Sequence, residues 1–238
     1  MTLRSVRPVL LAVCAASVAA LASCGGSACI GFDGCVGATP APNVALAGTA
    51  ATGKALASAN VNVSCAQGSG ATLSDGGGRY SLSFNATLPC MITVTASGVT
   101  LHSLAFAGGT FNTTPETELM IVYLAAQLGT SASGLVANFA SNTQFQQALA
   151  NQSNVLNAQS AVVTNLQQHY ALTLSTPAFL TTAFVVGQAG VDSDLEALAK
   201  AGAIDANGMP DPAAIALLSQ AGLAQPIAKT AATSSGSM

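Results

Sequence analysis

The sequence predicts an α+β protein in which a small antiparallel β-sandwich of about seven strands precedes a C-terminal helical region. Two observations support this fold class. Apolar and polar residues alternate with a period of two in residues 43–113, as expected of half-buried strands. In residues 114–224, apolar residues instead recur at helical spacing. The change of period places a boundary between residues 113 and 114.

The first 23 residues have the layout of a secretory signal peptide. A basic start leads into an apolar run that ends in small residues, and this run is short for a bilayer span of about 20 residues. The sequence Leu-Ala-Ser-Cys at residues 21–24 resembles the lipobox of bacterial lipoproteins. The resemblance implies that residues 1–23 are removed and that the Cys24 thiol is lipidated. The other interpretation is plain secretory cleavage near Ala22 or Ser23.

Lipidation at Cys24 would tether the protein to a membrane of the cell envelope, because two acyl chains anchor stably where one does not. The next residue is Gly25 and not Asp, which by the lipoprotein sorting rule implies the bacterial outer membrane. The sequons at Asn62, Asn85, Asn112 and Asn151 imply glycans only in a eukaryotic secretory route. The lipobox argues against that route.

The composition fits an envelope protein better than a nucleic-acid-binding one. Hydrophobic residues make up 50% of the chain and charged residues 6%, against about 25% charged in an average soluble domain. Acidic residues outnumber basic ones, and the sequence contains no basic cluster for a phosphate backbone. We therefore expect no nucleic-acid partner. An envelope protein or a glycan remains as a possible partner class.

Four cysteines remain once the signal peptide is removed and Cys24 is lipidated. An oxidising envelope permits disulfides, and of the three possible connectivities we favour Cys29 with Cys35 and Cys65 with Cys90. Each cysteine of the second pair has the parity of the apolar residues in its strand, so both sulfurs should face the core. The chain-entropy model values the loop closed by this bridge at roughly 3 kcal/mol. Metal binding is the other interpretation, but the sequence has no Cys-x-x-Cys pair.

Residues 24–42 contain glycines and prolines and predict a tether with a small loop in it. Three of the following strands have a clear alternation. Their apolar positions are Val61, Val63 and Cys65; Tyr80, Leu82 and Phe84; and Cys90, Ile92, Val94 and Ala96, with Met91 on the polar side of the last strand. Turn-forming sequences such as Gln67–Gly70 and Asp75–Gly78 separate these strands.

One turn and strand carry a family resemblance. Asp75-x-x-Gly78-x-Tyr80 is similar to the signature of the carboxypeptidase regulatory-like domain, and residues 59–63 match its preceding strand. The resemblance implies a transthyretin-like sandwich of about seven strands that serves as a spacer or binding module. Ser58 departs from the family, which usually has glycine there. The whole chain is similar to lipoproteins of Gram-negative bacteria that join such a sandwich to an Ala-rich helical part.

The helical region begins with a strong local signal. Thr114-Pro115 predicts an N-cap followed by proline at the first helical position, and the helix should stop at Gly129. An apolar stripe from Phe145 to Tyr170 then predicts one long helix or two helices with a break.

The remaining helices have cap signals of their own. Ser193 and Glu196 predict a capping box, and Asp211-Pro212 predicts the start of a last helix. Residues 225–238 are mostly small and polar, and we expect them to form a disordered tail.

The sequence suggests no catalytic constellation, and we predict a protein that is not an enzyme and holds no cofactor. A hydrolase would depend on His102 with nearby serines, but Gly-x-Ser-x-Gly is absent from the sequence. His102 shares its parity with Leu104 and Phe106, which favours packing at the edge of the sandwich. His169 lies near a predicted helix end, where an imidazole suits the helix dipole. Asp192, Asp194 and Glu196 could bind calcium, although helix capping is favoured.

The predicted function is therefore a non-enzymatic cell-envelope lipoprotein that acts as a structural or binding module. The alternative is a lipoprotein that binds a carbohydrate or a peptide. Such binding would use polar loops such as Gln67–Gly70 and the amide-rich helix that contains Asn151 and Asn154.

Overall fold

The computed structural model describes residues 40–96 and 98–228, and within this range the chain is α+β as predicted. Every strand precedes every helix. The strands are β1 (Asn43–Thr49), β2 (Asn60–Gln67), β3 (Ser69–Leu73), β4 (Arg79–Asn85), β5 (Thr87–Ala96), β6 (Val99–Ala105) and β7 (Gly109–Thr110). The helices are α1 (Pro115–Gln127), α2 (Ala132–Asn138), α3 (Thr143–Ala150), α4 (Gln152–Tyr170), α5 (Val191–Lys200) and α6 (Pro212–Leu223). The predicted signal peptide, Cys24 and the Cys29–Cys35 pair lie outside the described residues.

The strands form two sheets. The smaller has the order β4-β1-β7, with β1 antiparallel to β4 and parallel to β7. The larger has the order β3-β2-β5-β6 and is antiparallel throughout. Leu46 and Tyr80 of the smaller sheet and Val61 and Ile92 of the larger belong to one hydrophobic core, which continues into the helices.

The predicted Cys65–Cys90 disulfide is present. The register of β2 on β5 places the two cysteines directly opposite each other, with Val63 opposite Ile92 on the same face. Both cysteines are buried, as their parity predicted. A slip of one residue would turn one sulfur to the opposite face, so the bridge also fixes the register of these strands.

The alternation places Met91 on the polar side of β5, opposite Ile92, and the expectation that this side is exposed is wrong. Met91 is 2% exposed, and Leu104, its partner on β6, is fully buried. The reason is that α1 packs against β6 and α3 approaches β5. The larger sheet is therefore covered by helices on one face and by core residues on the other.

Helix α1 is the centre of the helical part. Thr114 is its N-cap, as predicted, and it exchanges hydrogen bonds with Thr117: the Thr114 N–H donates to the Thr117 hydroxyl at 2.9 Å. Eleven of the 13 residues of α1 are buried, because β6, α2, α4 and α6 all pack against it. These neighbouring elements explain why the helix is apolar on nearly every side.

The apolar stripe after Phe145 forms two helices, α3 and α4, and the break falls at Asn151. The Asn151 side chain caps α4 by accepting from the Ser153 N–H at 3.0 Å. The sequence pattern does not predict helix α2, because Gly134 and its neighbouring serines lower helix propensity. In the described part, no single helix is long and apolar enough to cross a membrane, and only α1 and α2 together, bent by 84°, meet that test.

The capping box predicted at Ser193 and Glu196 is wrong. Helix α5 begins at Val191, and its N-cap is Gly190 at φ +114°, so Ser193 occupies the third helical position. Its hydroxyl accepts from the Gly190 N–H at 3.0 Å, and Glu196 is exposed. A glycine N-cap has no side chain to signal it. The cap predicted for α6 is confirmed, because Asp211 accepts from a first-turn N–H at 2.8 Å.

Asn112, just after β7, connects the strands to the loop before α5. Its side-chain oxygen accepts from the Thr49 N–H at 3.2 Å. Its Nδ2 donates to the carbonyls of Phe179 and Thr182 at 2.8 and 2.7 Å, and its backbone N–H donates to Leu180. The residue is fully buried. One amide side chain thus holds a strand and a loop together in the interior.

Residues 225–228, the start of the predicted tail, lie against the end of α1. The Ile227 N–H donates to the Gln127 carbonyl at 3.1 Å. The packed part of the chain therefore extends at least to Ala228, and residues 229–238 lie outside the described range.

Candidate functional site

The main candidate site is a cleft on the helical side of the molecule. It lies between the end of α1, the α3–α4 junction and residues 225–228, and its volume is about 510 Å³. Most of its lining side chains are amides, and we call it the amide cleft. These amides are Gln127, Gln147, Asn151, Asn154, Asn157 and Gln225.

Helical geometry brings the amides of α4 together. Asn151, Asn154 and Asn157 are three residues apart at the start of this helix, so they follow one another along its surface. Gln147 lies on the preceding helix, α3, and Gln127 is the last residue of α1. The packing of α1 against α4 places these side chains around one space.

Several of these amide groups have unused hydrogen-bonding capacity. Asn154 donates to the Ala148 carbonyl at 2.8 Å, which leaves its oxygen as an acceptor. Within residues 40–96 and 98–228, the exposed side chains of Gln147 and Asn157 make no hydrogen bond, and the buried Oε1 of Gln127 has no partner. The cleft therefore offers both donors and acceptors to a ligand.

One wall of the amide cleft is the chain itself. Gln127 Nε2 donates to the backbone carbonyl of Gln225 at 2.8 Å, and the Tyr123 hydroxyl donates to the Gln225 side chain at 3.3 Å. Burial raises the pKa of Tyr123, so its hydroxyl remains a neutral donor. The ring itself is 1% exposed and packs in the core.

A second cavity of about 250 Å³, which we call the apolar end, lies beside the amide cleft. The two cavities share Gln147 and Ile227 among their lining residues. Phe145 and Leu223 complete the apolar end, and Leu223 is 60% exposed. A ligand can therefore place a polar part among the amides and an apolar part beside them.

Among the described residues, no Asp, Glu, Lys or Arg lines either cavity. The described lining of both cavities is therefore uncharged. A charged ligand would lose water without gaining an opposite charge, and this loss is unfavourable.

His102, the candidate base, lies under α1. Glu118 Oε2 accepts from the His102 backbone N–H at 2.6 Å and lies 2.9 Å from its Nδ1, and the Thr117 hydroxyl donates to its carbonyl at 2.8 Å. These contacts fasten the first turn of α1 to β6. A catalytic pair needs a nucleophile at the other ring nitrogen, and no hydroxyl of the described chain is hydrogen-bonded to this ring.

Glu116 lies next along the same turn of α1 and is fully buried. Burial raises its pKa to about 8; a hydrogen bond from the Thr114 hydroxyl opposes this rise and the charge of Asp194 adds to it. The carboxyl is therefore mostly protonated at neutral pH.

Asp192 and Asp194 hold the loop that precedes α5. Asp194 accepts from the Ser175 and Thr176 N–H groups at 2.8 and 2.9 Å, and Asp192 accepts from the Gly187 N–H at 2.8 Å. The predicted helix capping is therefore wrong, because both carboxylates bind backbone outside their own helix. Throughout the described ranges, no three His, Cys, Asp or Glu residues are placed to hold a metal ion.

A third cavity, also of about 510 Å³, lies over the smaller sheet beside Arg79. Thr49, Asp75 and Tyr80 of its lining have side-chain hydrogen bonds, whereas the side chains of Arg79, Ser81 and Thr110 have none within the described residues. The Tyr80 hydroxyl donates to the Phe111 carbonyl, and the Thr49 hydroxyl donates to the Phe184 carbonyl at 3.1 Å. Unlike the described lining of the amide cleft, the lining of this cavity includes charged side chains, Asp75 and Arg79.

The structure brings some of the predicted binding residues together and separates others. Asn151 and Asn154 lie in the amide cleft, whereas Gln67–Gly70 spans the end of β2 and the start of β3, with only Gly68 between the strands, and does not line the cleft. His169 is exposed near the end of α4. Comparison of the chain with protein family models, with curated proteins and with solved structures finds no match.

Proposed function

We propose that this protein is a non-enzymatic lipoprotein of the cell envelope that binds an uncharged polar ligand, a carbohydrate or a peptide, in the amide cleft. The observation that carries the proposal is the set of amide side chains that converge on one cavity with free donors and acceptors. Asn and Gln can hydrogen-bond a neutral ligand but cannot act as acid, base or nucleophile at ordinary pH. Binding is therefore the activity that this site can perform.

The proposal assigns the two sheets to a carboxypeptidase regulatory-like domain with a transthyretin-like sandwich. The signature turn supports it: the Asp75 carboxylate accepts from the N–H groups of Gly77 and Arg79 at 2.8 and 2.9 Å. Gly78 has φ +78°, and a Cβ there would lie 2.4 Å from the Ala50 carbonyl oxygen. Tyr80 is buried, and Leu82 and Phe84, which follow it on the same face of the strand, are partly buried against the core. In this arrangement the sandwich is the spacer that carries the helices away from the membrane.

The proposal also includes lipidation at Cys24 and location at the bacterial outer membrane. The Cys65–Cys90 disulfide supports export, because such bridges form in oxidising compartments. Globomycin treatment or Cys24→Ala should release the protein from the membrane fraction, whereas Cys14→Ala within the signal peptide should not. Unchanged membrane partitioning of the Cys24 variant would contradict the anchor.

The Cys29–Cys35 disulfide stays a prediction of the sequence. Mass analysis of the mature protein after alkylation without reduction tests it, and a free thiol at either position would contradict the pairing.

The binding function is tested with glycan and peptide arrays on the full mature protein. Gln147→Ala combined with Asn157→Ala should abolish binding, because the two amides that are removed have no hydrogen bond within the described structure and are free to bind a ligand. The fold should be unaffected, because both side chains are exposed. Gln168→Ala is the matched control, since Gln168 is exposed on α4 but outside the cleft. Equal binding by both variants would place the site elsewhere, and loss with Gln67→Ala would favour the β2–β3 turn instead.

A further inference from the structure

The segment that forms one wall of the amide cleft is itself held through its backbone. Residues 225–228 are non-helical and run beside α1, where two bonds fix their backbone: Gln127 Nε2 donates to the Gln225 carbonyl and the Ile227 N–H donates to the Gln127 carbonyl. The segment thus uses one backbone acceptor, the Gln225 carbonyl, and one backbone donor, the Ile227 N–H. The Ile227 side chain meanwhile packs against the hydrophobic core. Backbone hydrogen bonds combined with an apolar side chain in a pocket are a general mode of peptide recognition.

Resting on the proposed function, we infer that the ligand of the amide cleft is an uncharged peptide segment that places one apolar side chain in the apolar end. The free amides of Gln147 and Asn157 each offer a donor and an acceptor, which is the complement of a peptide bond. The oxygen of Asn154, which the hydrogen bond from Asn154 Nδ2 to Ala148 leaves unused, is a further acceptor for a backbone N–H.

A peptide fits the cleft better than a carbohydrate does. Sugar rings pack their C–H faces on exposed aromatic rings, and the aromatic residue that lines the amide part, Tyr123, is 1% exposed. Phe145 lies in the apolar end and not among the amides. The amide part therefore offers hydrogen bonds without a stacking surface.

The apolar end determines which peptides bind. Phe145, Leu223 and Ile227 line a space of about 250 Å³ that adjoins the amide cleft, and the described lining carries no charge. One large apolar side chain can enter this space while the backbone of the same residue remains among the amides. A Lys or Asp at that position would lose its hydration without gaining a partner.

The test uses the full mature protein and capped five-residue peptides of Ser, Thr and Ala with Leu, Lys or Asp at the centre. Isothermal titration should show binding of the Leu peptide and at least tenfold weaker binding of the Lys and Asp peptides. Gln147→Ala with Asn157→Ala should weaken the Leu peptide tenfold or more, whereas Gln168→Ala should not. Leu223→Asp, a change at an exposed position, should remove the preference for Leu over Lys. Circular dichroism and an intact Cys65–Cys90 bridge establish that each variant is folded.

The outcomes separate this inference from the proposed function. Cleft-dependent binding of neutral oligosaccharides such as maltotetraose and chitotetraose, without peptide binding, would overturn the inference and leave the proposed function standing. Failure of both ligand classes would overturn both. A concentration-dependent dimer that Leu223→Asp disrupts, and that the Leu peptide does not displace, would make the cleft a self-association surface and overturn the inference.

Discussion

Replacing Glu116 with glutamine should stabilise the folded protein at neutral and alkaline pH. The side chain is fully buried, the Thr114 hydroxyl donates to its Oε2 at 3.1 Å, and its Oε1 has no partner within the described residues. Burial raises the pKa of this carboxyl from 4.5 to about 8, with a further contribution from the charge of Asp194. An amide of the same shape keeps an acceptor for Thr114 and does not ionise.

The size of the effect follows from the two pKa values. Below about pH 4.5 the carboxyl is protonated in both states, and its titration does not alter the free energy of unfolding. Between pH 4.5 and about 8 the unfolded chain loses the proton first, so stability falls as pH rises, by about 1.4 kcal/mol per pH unit. The accumulated loss at pH 7 is about 3 kcal/mol, and the loss levels off above the folded pKa.

Guanidinium unfolding at pH 5, 6, 7 and 8 measures this effect. The difference in unfolding free energy between Glu116→Gln and the parent should grow by about 2.5 kcal/mol from pH 5 to pH 7. Glu196→Gln, at an exposed position on α5, should follow the parent curve and serves as the matched control. Parallel curves for Glu116→Gln and the parent would refute the reasoning, because they would mean that the folded chain accommodates the ionised carboxylate.

Three further predictions concern stability. Replacing Cys65 and Cys90 together with serine should lower the free energy of urea unfolding by roughly 3 kcal/mol; free thiols at these positions in the native protein would contradict the bridge. Gly222→Ala should destabilise by about 1–3 kcal/mol, because its Cβ would lie 2.4 Å from a backbone carbonyl of α1. Gly76→Ala is the matched control, because no atom lies within 4 Å of its Cβ, and it should leave the midpoint of thermal unfolding nearly unchanged. Equal shifts of the midpoint in the two variants would contradict the packing at Gly222. Glu118→Ala removes the acceptor of a β6 backbone N–H and should cost about 1–3 kcal/mol, with faster hydrogen exchange at that amide; unchanged exchange would contradict the contact.

The fold features that the sequence predicts correctly are local or periodic. A period of two places Cys65 and Cys90 on the core face, and a threonine before a proline marks the start of α1 at Thr114. The errors arise where distant parts meet or a signal is missing. Met91 is buried because a helix covers its face, and Gly190 caps α5 without a side chain that sequence rules could detect.

The candidate site was only half predictable for the same reason. Asn151 and Asn154 stand out as polar positions on a helix, so their shared face follows from helical spacing. Gln127 and Gln225 are 98 residues apart and meet only because α6 packs against α1. The sequence signals no such meeting, and Gln67–Gly70, the other binding region that it suggests beside the amide-rich helix, lies on a different part of the fold.

The burial of Asn112 decides where this protein can be produced. The residue begins an Asn-x-Thr sequon, and its Nδ2 is the atom to which a eukaryotic secretory pathway attaches a glycan while the chain is still being translocated. In the folded chain that same nitrogen donates to the carbonyls of Phe179 and Thr182 in the closed interior. A glycan on Nδ2 would leave this nitrogen one hydrogen for its two acceptors, and the closed interior has no space for the sugar. Yeast or mammalian secretion would therefore yield a glycosylated fraction that cannot reach this fold, and a host without that modification avoids the loss.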